Sequence, residues 1–343
     1  MGDALLDRLD PKHYPAVARM LLADPVVGWV NAGEDAASDN PGAFAKHRLL
    51  PRVLRDVSAV STATTIAGTA VKTPIAIAPI GIQKALHPEG EIAMARGAAA
   101  AGAIYCMPVN ATIGIDEVAK AVPDANLWIQ LYNWPDKNAL AGVIQLAEAS
   151  GAKAIVPLVN TPLPVSHTPA KVGWRLPAGV SLAHGAGNHG DLDATNDFGY
   201  ITWMKGITSL PIVPKGIMHP DDALRALDAG ATGVIVSNHG NRQVARSTAT
   251  IDALPAVVKA VGDRAEVYHD GGVRNGTDAL IALGLGARAV FVARTVCWGL
   301  AVGGAAGVEK TLGWLTEEMA SDAGMCGVSD ITELPADLVQ TLP

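Results

Sequence analysis

The sequence of 343 residues is poor in cysteine, in long apolar runs and in basic clusters. Its three cysteines, Cys106, Cys297 and Cys326, form no metal-ligand pattern and cannot all pair, which predicts a reducing cytoplasm and no metal site. No apolar run reaches the roughly 18 residues of a membrane span, and the first residues lack the features of an export signal. A net charge of −7 without a basic run argues against a nucleic-acid partner. These absences favour a cytoplasmic protein with a small-molecule partner.

Eight short apolar runs alternate with helix-like segments from residue 75 onward. They cover residues 75–79, 103–107, 127–132, 154–159, 211–215, 233–237, 266–270 and 289–293. Continuous apolar runs this short are typical of parallel strands that are buried on both faces. Eight strand–helix units predict an α/β fold, the (β/α)8 TIM barrel, which usually takes about 250 residues.

The rest of the chain predicts a single domain, 1–343, with additions to the barrel of residues 75–343. Residues 1–74 suggest a helical segment followed by a covering segment, and residues 160–197 form a loop long enough for a lid. A doubly wound sheet is the alternative, but no glycine-rich phosphate turn follows the first strand. The string Gly185-Ala-Gly-Asn-His-Gly190 matches such a turn, yet no strand precedes it, so we interpret it as loop.

Polar side chains cluster where the predicted strands end, which is where TIM barrels carry their chemistry. His239 and Arg242 follow the sixth strand, and an imidazole beside a fixed cation suits acid–base work on an anionic substrate. Gly271, Gly272 and Arg274, with Arg294 on the next loop, fit a phosphate site. One phosphate site without a dinucleotide fingerprint predicts a mononucleotide or a phosphosugar. Lys215 suits either the stabilisation of a reduced flavin or a buried ion pair.

Five motifs together resemble the FMN-dependent α-hydroxy-acid oxidase and dehydrogenase family, which includes glycolate oxidase, lactate oxidase and mandelate dehydrogenase. The resemblance runs from about residue 28 to residue 330. It rests on Ala78-Pro-Ile-Gly-Ile-Gln-Lys84, Gln130-Leu-Tyr132, Leu210-Pro-Ile-Val-Pro-Lys-Gly216, Val236-Ser-Asn-His-Gly-Asn-Arg-Gln243 and Asp270-Gly-Gly-Val-Arg-Asn-Gly-Thr-Asp278.

The resemblance implies an FMN flavoprotein, a homotetramer, that oxidises a 2-hydroxy acid to the 2-oxo product. It makes His239 the base, Arg242 the ligand of the substrate carboxylate and Tyr132 a hydrogen-bond partner of the substrate. The residues that it assigns to FMN are Pro79, Ile80, Gly81, Gln130, Lys215, Ser237, Asp270, Gly271, Gly272, Arg274, Ala293 and Arg294.

Four positions depart from the family pattern. Gly28 stands where the family has a carboxylate-binding tyrosine, Asn110 where it has a pocket tryptophan, and His167 where it has a second substrate-binding arginine. Asn160 replaces the aspartate that orients the catalytic histidine, which keeps a hydrogen bond but removes a charge that favours the imidazolium. Because carboxylate contacts are lost and the pocket is enlarged, we expect a substrate that is bulkier than glycolate or lactate or that lacks a small free carboxylate, either a 2-hydroxy acid or a related α-hydroxy compound.

The residues leave three functions open. The first is the FMN oxidoreductase, with O2 as oxidant. The second is a non-redox TIM-barrel isomerase or aldolase that uses a phosphosugar and Lys215. The third is a member that binds flavin but has little turnover, as the change at Asn160 would allow. A yellow protein would exclude the second as the main function.

Overall fold

Eight parallel strands form the centre of the computed structural model, which describes residues 6, 8–34, 39–163, 176–184 and 192–342. The strands are β1 (Ile75–Ile77), β2 (Ile104–Pro108), β3 (Asn126–Leu131), β4 (Ala154–Pro157), β5 (Lys215–Ile217), β6 (Gly233–Val236), β7 (Glu266–Asp270) and β8 (Ala289–Val292). Each pairs with its neighbour in the chain from β1 to β4 and from β5 to β8, and β8 pairs with β1. Single parallel bridges, Ile155–Ile212 and Leu158–Lys215, join β4 to the chain entering β5. The predicted TIM barrel is confirmed.

Helices follow the strands and cover the outside of the barrel. They are α1 (Gly90–Ala100), α2 (Ile115–Ala121), α3 (Lys137–Ala149), α4 (Gly199–Lys205), α5 (Pro220–Asp228), α6 (Thr250–Val261), α7 (Gly276–Gly284) and α8 (Arg294–Met325). Acidic Asp221 and Asp222 lie in the first turn of α5, where carboxylates complement the helix dipole. At Asp136 the side chain caps α3 by accepting from two backbone N–H groups.

The fifth strand begins later than the sequence predicts. The apolar run 211–215 suggests a full strand, but the regular strand starts at Lys215, and Ile212 contributes one bridge. Pro211 and Pro214 lack the N–H group that a sheet ladder requires, so this segment pairs only at isolated positions.

Two layers of apolar side chains form the core. Outside the barrel, the helices pack on the strands. Inside it, the rings of Trp128, Tyr268 and Phe291 lie 5.6–6.0 Å apart, centre to centre. A hairpin of residues 64–71 contributes buried Ile66 to the same interior cluster. Because β7 begins at Glu266 and the backbone N–H of Ala67 donates to its carboxylate, the hairpin covers the N-terminal end of the barrel. The hairpin leaves the C-terminal end of the barrel uncovered.

The segments outside the barrel lie along its wall and its ends. Helices Tyr14–Leu21 and Asp24–Asn31 precede the barrel, and strands His47–Leu49 and Val339–Thr341 pair antiparallel. Helix α8 packs against α1 and against Tyr14–Leu21. Of the predicted lid, residues 164–175 and 185–191 lie outside the described residues, and with them His167 and the Gly185–Gly190 string. Among the helices described, none is long and apolar enough to cross a membrane.

Candidate active site

A cavity of about 400 Å³ opens at the C-terminal ends of the strands. It is the place where the barrel brings together residues as far apart in the chain as Pro79 and Arg294. The predicted site residues that line it are Pro79, Ile80, Gly81, Asn110, Gln130, Tyr132, Lys215, His239, Arg242, Asp270, Gly271, Gly272, Arg274, Ala293 and Arg294. Ser237 and Asn160 lie directly beside it, as the contacts below show.

A buried polar network joins the ends of β5, β6 and β7. The ammonium group of Lys215 pairs with the carboxylate of Asp270 and donates to Ser237 Oγ at 2.8 Å. Ser237 Oγ donates in turn to Asp270 Oδ2 at 3.0 Å. Only 3% of Lys215 and 7% of Asp270 is exposed, so neither charge would be stable without the other. Lys215 is therefore part of a buried ion pair and also borders the cavity.

His239 lies on a tight turn that follows β6. The backbone at His239, Gly240 and Asn241 has positive φ angles of 57°, 64° and 63°. For the two residues that carry a Cβ this is a sparsely populated conformation, and such positions cluster at functional sites. The Asn238 side chain stabilises the turn by accepting from the Asn241 N–H and by pairing with the Asn40 amide. The turn thereby places the His239 ring at the cavity.

The His239 ring contacts a residue that the sequence analysis did not single out. Gln243 Nε2 lies 3.1 Å from His239 Nδ1 and donates to Thr161 Oγ1 at 2.6 Å. Gln243 ends the motif that begins at Val236, one position after Arg242, and Thr161 directly follows Asn160. Their closeness in the sequence to predicted site residues is the signal that could have indicated them. Asn160 instead donates from Nδ2 to the Ser237 carbonyl at 3.2 Å.

Arg242 and Arg294 are both anchored by the segment that follows helix Asp24–Asn31 and by the end of that helix. Arg242 Nη2 donates to the carbonyls of Trp29 and Val30 at 2.7 and 2.8 Å. Arg294 donates to the carbonyls of Val30, Ala32 and Gly240. Burial, and then the nearby Arg242 cation, lower the pKa of Arg294 to about 10, so it remains charged at neutral pH. Nothing in the local sequence around Trp29 indicates this contact.

The turn after β7 is built on two consecutive glycines. Gly271 and Gly272 have φ angles of 114° and 87°, and a Cβ at Gly272 would lie 2.5 Å from the Asn40 carbonyl oxygen. Glycine is required there because the backbone conformation and the close contact both exclude a side chain. Arg274 borders the same turn, and its Nη2 donates to Glu34 Oε1 at 2.6 Å. The same oxygen lies 3.5 Å from Arg294 Nε, so a carboxylate bridges the two arginines.

The rest of the lining includes Tyr132, Gln130 and several apolar side chains. Burial raises the pKa of Tyr132 to about 12, so its hydroxyl keeps its proton at neutral pH and can donate. Gln130 Nε2 is buried and has no hydrogen-bond partner within the described part of the chain. The apolar side chains that line the cavity include Trp29, Ile80, Leu158, Leu176 and Leu182.

Comparison with known proteins identifies the class. Residues 26–341 match the family of FMN-dependent dehydrogenases. The chain is 38% identical to glycolate oxidase 3 of Arabidopsis thaliana, over 96% of this chain and 95% of that protein. It is 36% identical to 2-hydroxyacid oxidase 1 of Homo sapiens, over 96% of both. A crystal structure of mandelate oxidase superposes with a TM-score of 0.89 at 32% identity, covering 96% of this chain and 97% of that one.

The chain therefore belongs to the FMN-dependent dehydrogenase family: it is an oxidoreductase and its cofactor is FMN. The cavity fits that group. Its volume lies within the roughly 300–1,000 Å³ of cofactor pockets. The unpartnered Gln130 Nε2 offers a donor to a polar ring, and Lys215 offers a cation. Arg274 and Arg294 beside the Gly271–Gly272 turn suit a phosphate.

Proposed function

We propose that the protein oxidises a 2-hydroxy acid bulkier than glycolate or lactate to the 2-oxo acid, with O2 as the final oxidant. One observation carries the proposal: His239 and Arg242 line the same cavity as the Arg274 and Arg294 pair. An imidazole and a guanidinium at the same cavity as two further arginines support the roles of base, carboxylate clamp and phosphate site that oxidation of a hydroxy acid on FMN requires.

In this reaction the substrate loses two electrons and two protons. Bound FMN supplies the two-electron acceptor, which O2 reoxidises with formation of hydrogen peroxide. His239 takes one proton from the substrate, and the second leaves with the electrons. The guanidinium of Arg242 binds the carboxylate, and Tyr132, which keeps its proton, donates a hydrogen bond to the substrate. Each of these three side chains lines the cavity.

The remaining predicted residues are assigned to FMN. The turn of Pro79, Ile80 and Gly81 lies after β1 and forms one wall of the cavity. Gln130, Lys215 and Ser237 are proposed to hydrogen-bond the ring system. The residues proposed for the phosphate and its tether are Asp270, Gly271, Gly272, Arg274, Ala293 and Arg294.

The proposal of a bulky substrate rests on the shape and chemistry of the cavity. Gly28, at the position of the family's tyrosine, is exposed and is not among the lining residues, so no tyrosine side chain from that position fills the cavity. Asn110 lines the cavity where the family has a larger tryptophan. Leu176, Leu182 and Trp29 supply apolar surface that the methyl group of lactate or the hydrogen of glycolate would not cover. An aryl 2-hydroxy acid such as mandelate meets these requirements. His167, the other proposed substrate contact, lies outside the described residues.

An oxygen-coupled screen tests the proposal. The FMN-loaded protein is incubated in air with 2-hydroxy acids whose side chains run from hydrogen to phenyl, and peroxide and the 2-oxo product are measured. We expect product from large side chains and little from glycolate or lactate. Product from glycolate and lactate at the highest rates would overturn the proposed substrate class. Absence of product from every acid would favour the member with little turnover.

Two further proposals come from the sequence. The family match favours the oxidoreductase over the isomerase or aldolase, and the family resemblance suggests a homotetramer. The cysteine pattern suggests a cytoplasmic location. Light scattering on the purified protein tests the homotetramer, since a mass other than four times 35.3 kDa would contradict it. Fractionation of the source cells tests the cytoplasmic location.

A further inference from the structure

Gln243 links the His239 ring to a second side chain. Its Nε2 atom lies 3.1 Å from His239 Nδ1 and donates to Thr161 Oγ1 at 2.6 Å. Thr161 is only 8% exposed, so its hydroxyl gives Gln243 a fixed partner away from solvent. The amide is therefore held against Nδ1. The other ring nitrogen, Nε2, is left to take a proton.

Asn160, where the family has an aspartate, directs its amide to Ser237. Its Nδ2 donates to the Ser237 carbonyl at 3.2 Å, and its Oδ1 is buried without a partner among the residues that the structure describes. A Cβ at Gly216 would lie 2.5 Å from Asn160 Cγ, so the Asn160 side chain is packed tightly against the β5 backbone. This packing holds the Asn160 amide against the Ser237 carbonyl.

The chemistry of the base requires a particular form of the ring. His239 can take a proton at Nε2 only if its single ring hydrogen is on Nδ1, and an acceptor must then face Nδ1. The Gln243 amide carries both a donor and an acceptor, and a half-turn exchanges them. The Thr161 hydroxyl can accept or donate, so the bond between Gln243 and Thr161 survives the exchange. With the amide oxygen turned to Nδ1, Gln243 accepts from the ring and Thr161 donates to the same oxygen, which holds the tautomer that can take a proton at Nε2.

We propose that Gln243, supported by Thr161, is the positioning residue that sets the tautomer of His239, in place of a carboxylate at Nδ1. The proposal rests on the proposed function, because His239 is the base there. Among the described residues, the charged and titratable groups that line the cavity with His239 are Arg242 in its own turn, Arg294 and Cys297 on α8, Arg274 after β7, the Lys215–Asp270 pair on β5 and β7, and Tyr132 after β3.

The pH dependence of anaerobic flavin reduction distinguishes a positioning role of Gln243 from a purely structural one. Gln243→Leu removes both hydrogen bonds, and we expect the limiting rate of reduction to fall about 10- to 100-fold, with the substrate dissociation constant changed less than about threefold. Thr161→Val should lose part of that rate and Thr161→Ser should restore it. Gln243→Glu places a pure acceptor and a negative charge at Nδ1, so the acidic limb of the profile should move up by about one pH unit. A wild-type rate in Gln243→Leu would overturn the proposal.

Asn160→Asp is the matched variant, since it restores the carboxylate at the family's position. If Gln243 is the partner of Nδ1, the acidic limb should move with Gln243→Glu and stay in place with Asn160→Asp. The reverse pattern would assign the role to residue 160 and overturn the proposal.

A second readout does not depend on turnover. In FMN-loaded protein labelled with 15N-histidine, the ring nitrogen shifts report the tautomer and the titration of each histidine, and His239→Asn identifies the His239 signals. We expect Nδ1 of His239 to gain hydrogen, and its titration to move to higher pH, in Gln243→Glu. Unchanged shifts would contradict the proposal even if the enzyme oxidises its substrate. Failure of every 2-hydroxy acid to reduce the flavin would contradict only the proposed function.

Discussion

The carboxylate of Glu34 accepts a hydrogen bond of 2.6 Å from the guanidinium of Arg274. Both side chains are about one-third exposed, so the contact is partly screened by solvent. If Arg274 binds the phosphate of FMN as proposed, Glu34 competes with that phosphate for the same guanidinium.

Replacing Glu34 with glutamine should therefore tighten FMN binding. The amide keeps an acceptor but loses the charge, and we expect the FMN dissociation constant to fall about 3- to 10-fold. Titration of the apoprotein with FMN, followed by flavin fluorescence, measures it. Glu89→Gln is the control, because Glu89 pairs with Arg96 on the surface. Weaker binding in Glu34→Gln would show that the carboxylate supports the site instead.

The buried Lys215–Asp270 pair predicts an asymmetric effect on stability. Lys215→Met leaves the buried carboxyl group of Asp270 without its cation, which lowers the free energy of unfolding by about 3–5 kcal/mol. The double variant Lys215→Met with Asp270→Asn removes both charges and should recover a large part of that loss. Denaturant unfolding of the two apoproteins beside the wild type measures the difference. A double variant that is no more stable than Lys215→Met would contradict the account of the pair.

Arg242→Lys tests the proposed carboxylate clamp. Lysine keeps the positive charge, but it lacks the planar fork that can bond the Trp29 and Val30 carbonyls while presenting further N–H groups to a carboxylate. We expect the substrate dissociation constant to rise about 10- to 100-fold while FMN binding stays unchanged. Arg225→Lys, on the outer helix α5, is the control. Unchanged substrate binding in Arg242→Lys would remove the clamp assignment.

His269 predicts a pH dependence of stability. Burial lowers its folded-state pKa from 6.5 to about 4. The unfolded chain therefore binds a proton between pH 6.5 and pH 4 that the folded chain does not, and stability falls as the pH falls through that window. The loss attributable to this group is about 3 kcal/mol, and most of it has occurred by pH 4. Thermal unfolding of His269→Gln should show a smaller loss between pH 7 and pH 4.5.

An exposed histidine provides the comparison for His269. His219 has a side chain that is 65% exposed, so His219→Gln should follow the wild-type pH dependence. Equal pH dependence in the wild type and His269→Gln would contradict the assignment to His269.

Much of the fold follows from the sequence because the apolar runs are short, continuous and evenly spaced. Parallel strands in a barrel end at one rim, so His239, Lys215 and Asp270 come together once the strands are placed. The fifth strand was predicted too early because hydrophobicity does not register the missing N–H groups of Pro211 and Pro214.

The contacts that the sequence did not indicate are tertiary. Trp29 and Glu34 precede β1 by about 40 residues, and only the path of the chain before the barrel brings them to the arginines. Gln243 and Thr161 are neighbours of predicted residues, yet their contact with each other depends on how the loops after β4 and β6 pack. No periodicity in the sequence encodes those loop conformations.

Anaerobic stopped-flow mixing tests the central claim most directly. The FMN-loaded protein is mixed with mandelate, lactate and glycolate, and the loss of flavin absorbance is followed for the wild type and His239→Asn. The account predicts rapid bleaching of the wild type by mandelate, slow bleaching by the two small acids, and a His239→Asn protein that stays yellow with all three. Rapid bleaching by glycolate or lactate would contradict the proposed substrate class, and wild-type bleaching of His239→Asn would contradict the role of His239.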